Sequence, residues 1–160
     1  MKNVIEACLG ILAALVVFTL LRRIPAAAHA AINVFTLAVI LFSLIKGEIA
    51  GAWMGMACGL IVDTFSFGVF GIAGVANTLT GFFTGLISRK INVLPFVRNF
   101  VFIGLMAALE LAVWILFTFF IFAGGVAWEH GLIFLQPLVA ALVGSVLFAI
   151  YRKISAAHER

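Results

Sequence analysis

Apolar residues run along the chain in long unbroken stretches, and polar residues gather in the short gaps between them. Six such stretches cover residues 4–21, 26–45, 49–67, 70–87, 100–122 and 131–150, each of 18 to 23 residues. A hydrocarbon core about 30 Å thick takes about 20 consecutive apolar residues of α-helix. The pattern therefore predicts an all-α membrane protein with six transmembrane helices in one compact bundle, a single polytopic domain over residues 1–160. Strands of a membrane β-barrel would be segments of about ten residues with alternating hydrophobicity, and these continuous runs do not alternate.

Composition sharpens this picture. Of the 160 residues, 66% are hydrophobic and 10% charged, with a mean hydropathy of +1.31. Soluble domains carry roughly 45–50% apolar and about 25% charged residues, so a water-soluble globule is excluded. With only 3 prolines and no low-complexity tract, an extended linker is excluded too. The net charge of +4 comes from 10 basic and 6 acidic residues. The basic residues flank the apolar runs, which is a topology signal and implies membrane lipid, not nucleic acid, as the surrounding partner.

Counting Lys and Arg on either side of six spans places Lys2, Lys46, Arg89, Lys90, Arg98, Arg152, Lys153 and Arg160 with the termini, against Arg22 and Arg23 opposite. The positive-inside rule then puts both termini in the cytoplasm. Trp53 and Tyr151 at the inner face and Trp128 at the outer face suit interfacial anchors. The first span is expected to be retained as a helix, because Glu6, Arg22 and Arg23 do not suit a cleaved signal peptide. Cys8 and Cys58 lie inside apolar runs with neither zinc-site nor disulfide spacing, and read as small buried hydrophobes.

Nine of the fifteen glycines fall between Gly47 and Gly85. In the third span Gly51, Gly55 and Gly59 recur every fourth residue and Asp63 continues the series, so all four share one helix ridge that drifts by ~40° per step. The fourth span repeats the device with Gly74, Thr78, Gly81 and Gly85, beside the polar Asn77, Thr84 and Ser88. Small residues at this spacing let membrane helices approach closely. The stripes are expected either to pack spans three and four on each other or to meet a second protein. Gly68 to Gly71 mark a sharp turn that joins these spans as a hairpin.

Ionisable residues inside a span are costly and informative, about 2.5–3.5 kcal/mol for an Asp on insertion scales. Asp63 is expected in the outer half of the third span, where it can accept hydrogen bonds from the Gly68–Gly71 turn or from the start of the next helix. Binding of a proton or substrate is the alternative. Glu110, near the middle of the fifth span, has no partner in its local sequence, and protonation or a hydrogen bond across helices would accommodate it. A proton pathway with Asp63 is disfavoured, because no Lys or Arg lies mid-span and a coupled transporter usually shows more intramembrane polar groups. His29 and Asn33 share a face near the outer end of the second span. No catalytic motif is present and no spacing among Asp63, Glu110, His29 and His130 argues for a metal, so neither an enzyme, a metal nor a cofactor is expected.

The stretch from Leu44 to Ile91 resembles the rod shape-determining membrane protein family MreD. The resemblance is carried by Gly47, Gly51, the run from Gly55 to Asp63, Gly71 eight positions later, and Gly81-Phe82-Phe83-Thr84-Gly85. Together these are similar to the family's glycine stripe, Gly-Leu-x-x-Asp, spaced Gly, and Gly-aromatic-x-x-Gly. In the second span, where members often begin with Pro-Asp, this chain has Asn33-Val34. The resemblance implies a non-enzymatic scaffold in the inner membrane of rod-shaped bacteria, partnered by an MreC-like single-span protein and an MreB-like filament. Near it would work a RodA-type glycosyltransferase and its transpeptidase in peptidoglycan synthesis.

The family's fold is in turn similar to the six-helix substrate-binding subunits of energy-coupling-factor vitamin transporters. That supplies a second functional class, a small-solute transporter subunit. It would need a pocket with convergent polar groups, for which His29, Asn33, Asp63, Asn77 and Trp128 are the candidates.

Overall fold

The computed structural model describes residues 2–21, 33–65, 70–91, 95–121 and 131–158. Over these residues the chain is all-helical: α1 (Lys2–Leu21), α2 (Val34–Lys46), α3 (Glu48–Phe65), α4 (Ile72–Ser88), α5 (Phe96–Ile121), then a 3-10 turn (Gly131–Leu135) leading into α6 (Gln136–His158).

Local chemistry sets the boundaries. Asn33 caps α2 by accepting a hydrogen bond from the Thr36 backbone N–H at 3.2 Å. Gly47 ends it, with φ of +90° and its N–H donated to the Ser43 carbonyl at 2.9 Å, so that α3 begins at the very next residue. Only glycine takes up that backbone conformation without strain. Glu48 then supplies an acidic group in the first turn of α3, where the helix dipole favours it. The first turn of α6 contains Pro137, a position at which a missing N–H costs nothing.

Two boundaries depart from the apolar runs. α5 starts at Phe96, four residues before the run of 100–122, because its first turn closes on the Pro95 carbonyl through the Asn99 N–H at 3.0 Å. α6 continues past residue 150 to His158; Arg152 and Lys153 end hydrophobicity without ending helicity, since both are good helix formers. The expected second span of 26–45 is helical from Val34, giving a 13-residue helix; its earlier residues, and Gly68 of the turn, lie outside the described residues.

α2 is the hub. It packs against α1, α3, α4, α5 and α6, while the most extensive pairings are α3 with α4 and α5 with α6. Ile40 on one side of α2 packs with Phe102, Ile103, Met106 and Ala107 of α5. Phe35 and Val39 on the other side join Ala14 of α1 and Met54 and Cys58 of α3. Phe18 of α1 stacks at 5.3 Å from Phe35 and 5.5 Å from Phe65, within the range of favourable aromatic pairs.

Three segments are long and apolar enough to cross a membrane: Glu48–Phe65, Phe96–Ile121 and Ile133–Ser155. Ile5–Leu21, Val34–Lys46 and Ile72–Ser88 are apolar and shorter. Outward faces are strongly hydrophobic, with Leu12, Leu20, Leu105, Phe120, Leu138 and Ile154 exposed. Polar side chains go inward instead: Thr36, Asp63, Asn77, Thr80, Thr84, Asn99 and Glu110 are all buried.

Candidate functional site

The α3–α4 hairpin is built on glycine. A Cβ at Gly51 would overlap the Gly81 carbonyl and the Ser43 side chain, one at Gly55 the Asn77 carbonyl, and one at Gly59 the Ala73 carbonyl and the Gly74 Cα. From the other helix, a Cβ at Gly81 would overlap the Gly51 carbonyl and one at Gly85 the Gly47–Glu48 peptide. The two backbones thus touch along five of the six stripe glycines, and the stripes face each other inside the protein. Gly74 is the looser member, since a Cβ there would meet Leu60 and the Asp63 carboxylate at 3.4 Å or more.

Asp63 closes the hairpin. One carboxylate oxygen accepts from the backbone N–H of Gly71 and of Gly74, both at 3.0 Å, and the other from that of Ala73 at 3.1 Å. These N–H groups belong to the residue before α4 and to its first turn, which have no partner within the helix. Gly71 itself, at φ +107°, offers no side chain for a cap. The acid on α3 therefore does for α4 what an N-cap residue normally does for its own helix, and its charge complements the helix dipole. With Asp63 buried, three charge-assisted bonds offset the cost of removing the carboxylate from water.

Below this clamp runs a second polar constellation. The Asn77 side-chain amide donates to the Ala73 carbonyl at 3.1 Å, and the Thr36 hydroxyl donates to the Asn77 side-chain carbonyl at 3.0 Å. The buried Glu110 side chain of α5 lies beside the same Thr36 hydroxyl. An α2 hydroxyl, an α4 amide and an α5 acid thereby come together, and Glu110 meets across helices a polar neighbour that its own sequence surroundings do not supply. Asn77, Thr80 and Thr84 lie on one buried face of α4; the Thr80 and Thr84 hydroxyls have no hydrogen-bond partner among the described residues. Thr36 and Thr80 are the members that sequence reasoning missed. A signal for Thr80 is present in the spacing of 77, 80 and 84, three and four residues apart on a helix, whereas a threonine alone in the apolar run of α2 gives none.

At the open end of the hairpin Arg89 donates to the Glu48 carboxylate at 2.7 Å, and Lys46 pairs with Glu6 of α1. Three of these four charges, Lys46, Glu48 and Arg89, border a cleft of about 610 Å³ between α1 and α3, walled by Ile11, Ile49, Trp53 and Met54. Among the described residues the candidate solute ligands do not converge on a cavity: Asn33 caps α2, Asp63 binds the start of α4, and Asn77 belongs to the Thr36 network. His29, Trp128 and His130 lie outside the described residues. No group of three His, Cys, Asp or Glu comes together among the described residues.

No known protein family, curated protein or solved structure matches the chain.

Proposed function

We propose that this chain is a six-span protein of a bacterial inner membrane, with both termini cytoplasmic, that serves as a non-enzymatic scaffold of the MreD type. Membrane placement is supported by the inverted distribution of side chains, apolar outside and polar within, and by three helices of spanning length. The eight-to-two division of Lys and Arg supports the orientation.

One observation carries the scaffold reading. The residues on which the resemblance to the MreD family rests, from Gly51 through Gly55, Gly59 and Asp63 to Gly71, Gly81 and Gly85, are the residues that build and clamp the α3–α4 hairpin. Their role in this fold is to make a rigid, close-packed pair of helices, a platform that presents its outer faces to partners in the bilayer. Because the stripes are consumed internally, partner contacts fall to other faces, such as α1 and the outer sides of α5 and α6.

The test is purification of the tagged chain from its host in mild detergent, with mass spectrometry of the associated proteins. The scaffold reading expects an MreC-like single-span protein, the MreB-like filament and peptidoglycan synthases, with loss of these and rounding of the cells in Asp63→Asn or Gly55→Leu. Recovery of ATPase subunits and a coupling protein, or normal cell width with either variant at normal abundance, overturns it.

A further inference from the structure

Where α5 begins and α6 ends, a cavity of about 320 Å³ opens between the two helices. Phe96 and Asn99 line it from the first turn of α5, and Ser145, Phe148, Arg152 and Lys153 from α6. Asn99 is only 2% exposed, yet its side-chain carbonyl oxygen has no hydrogen-bond partner among the described residues. A buried acceptor left in this state is unfavourable and is the kind of group a ligand satisfies. The Ser145 hydroxyl donates to the Leu142 carbonyl at 3.0 Å, which leaves its own oxygen as a further acceptor inside the cavity. Two exposed cations, Arg152 and Lys153, complete the lining.

These groups call for a ligand with an anionic centre, hydrogen-bond donors of its own and an apolar body. The anion suits Arg152 and Lys153, the donors suit Asn99 and Ser145, and the apolar part suits Phe96 and Phe148. Free phosphate lacks the apolar part. Phe96, half-exposed, carries the apolar lining of the cavity out to the surface of α5, and the apolar stretch of α6 gives way to charge at Arg152, as it does at a membrane–water interface. Basic pockets between helix ends on the cytoplasmic side suit lipid headgroups.

We propose that this cavity binds the headgroup of an anionic phospholipid bearing free hydroxyls, with phosphatidylglycerol as the simplest such lipid. The phosphate lies against Arg152 and Lys153, a headgroup hydroxyl donates to the Asn99 carbonyl oxygen, and the acyl chains leave past Phe96. The inference rests on the membrane placement proposed above.

Native mass spectrometry of the full chain in mild detergent, titrated with phosphatidylglycerol, phosphatidylethanolamine or glycerol 3-phosphate, tests it. Arg152→Gln combined with Lys153→Gln, both at exposed positions, is expected to weaken phosphatidylglycerol binding about thirtyfold. Asn99→Leu is expected to weaken it about fivefold. Undiminished binding in the double variant, equal binding of phosphatidylethanolamine, or binding of glycerol 3-phosphate as tight as that of the lipid overturns the proposal. Alkaline carbonate extraction separates the two readings: a chain released from membranes loses the membrane placement itself, whereas a retained chain without lipid preference loses only this site.

Discussion

Gly59 and Gly74 face each other across the hairpin unequally: a methyl group on Gly59 would meet the Gly74 Cα at 2.5 Å, whereas one on Gly74 would meet nothing nearer than Leu60 at 3.4 Å. Backbone cannot yield as a side chain can. Gly59→Ala, and Gly55→Ala for the same reason, is expected to destabilise the chain by about 1–3 kcal/mol through overpacking. Gly74→Ala is expected to stay within about 1 kcal/mol of the parent, since the gain in helix propensity is of that order. Thermal unfolding in detergent, followed by size-exclusion chromatography of the surviving protein, checks the order. Equal melting temperatures for Gly59→Ala and Gly74→Ala would contradict the close backbone contact.

Much of this hairpin is legible in the sequence. Four-residue spacing of small residues places a groove, two adjacent grooves invite pairing, and an acid eight residues before a glycine turn has few ways to be satisfied except by the turn and the helix that follows. Glu110 and Thr36 are different. They are separated by 74 positions along the chain, and nothing in the local pattern of either residue names the other. Their meeting depends on α2 lying against both α4 and α5, a three-helix arrangement that hydropathy alone does not fix. Asn99 escapes for another reason: it stands in what reads as a polar connection, and becomes buried because the helix starts earlier than the apolar run.

Asp63 invites a graded test. Asp63→Ala removes all three acceptor contacts with Gly71, Ala73 and Gly74, and a loss of about 1.5–3 kcal/mol is expected for hydrogen bonds to a charged group. Asp63→Asn keeps one carbonyl oxygen and is expected to lose less. Glutamate is longer by one methylene, which shifts the carboxylate out of register with the three N–H groups, so Asp63→Glu is expected to fall below Asp63→Asn. Chemical denaturation of the three variants in the same detergent gives the order, and a Glu variant as stable as the parent would show that charge, not geometry, governs the clamp.

Gly71 and Gly47 hold the two left-handed positions of the described backbone, at φ +107° and +90°. A Cβ on Gly71 would have open space around it, so the cost of Gly71→Ala is conformational alone, about 1–2 kcal/mol. Asn tolerates this region better than other residues, and Gly71→Asn is expected to recover part of the loss. At Gly47 the added Cβ would also displace the Arg89 guanidinium from its place against Glu48. With Arg89 well exposed, that ion pair adds at most about 1 kcal/mol. Gly47, with ψ of −173°, also sits in a backbone region that is essentially glycine's alone, so melting temperatures should rank Gly71→Asn above Gly71→Ala, and Gly71→Ala above Gly47→Ala.

The Thr36 hydroxyl donates to Asn77 and lies beside Glu110, and the three side chains come from three different helices. If that hydroxyl couples α5 to the rest of the bundle, its removal and the removal of the acid are not independent. Thr36→Val keeps the shape and deletes the bridge; Glu110→Leu deletes the acid and replaces it with an apolar group of similar size. Each alone leaves a buried polar partner behind, whereas the double variant leaves fewer, so the combined loss is expected to be smaller than the sum. Hydrogen bonds between membrane helices couple by about 0.6 kcal/mol on average and by up to about 1.7, and the burial of all three residues places this coupling toward the upper value. Glu110→Gln retains a donor and an acceptor for Thr36 and is expected to lie nearer the parent than Glu110→Leu. A thermodynamic cycle over the four combinations of Thr36→Val and Glu110→Leu, measured by reversible unfolding in bilayer-like micelles, reads the coupling directly, and strict additivity would mean that the two residues are neighbours without acting on each other.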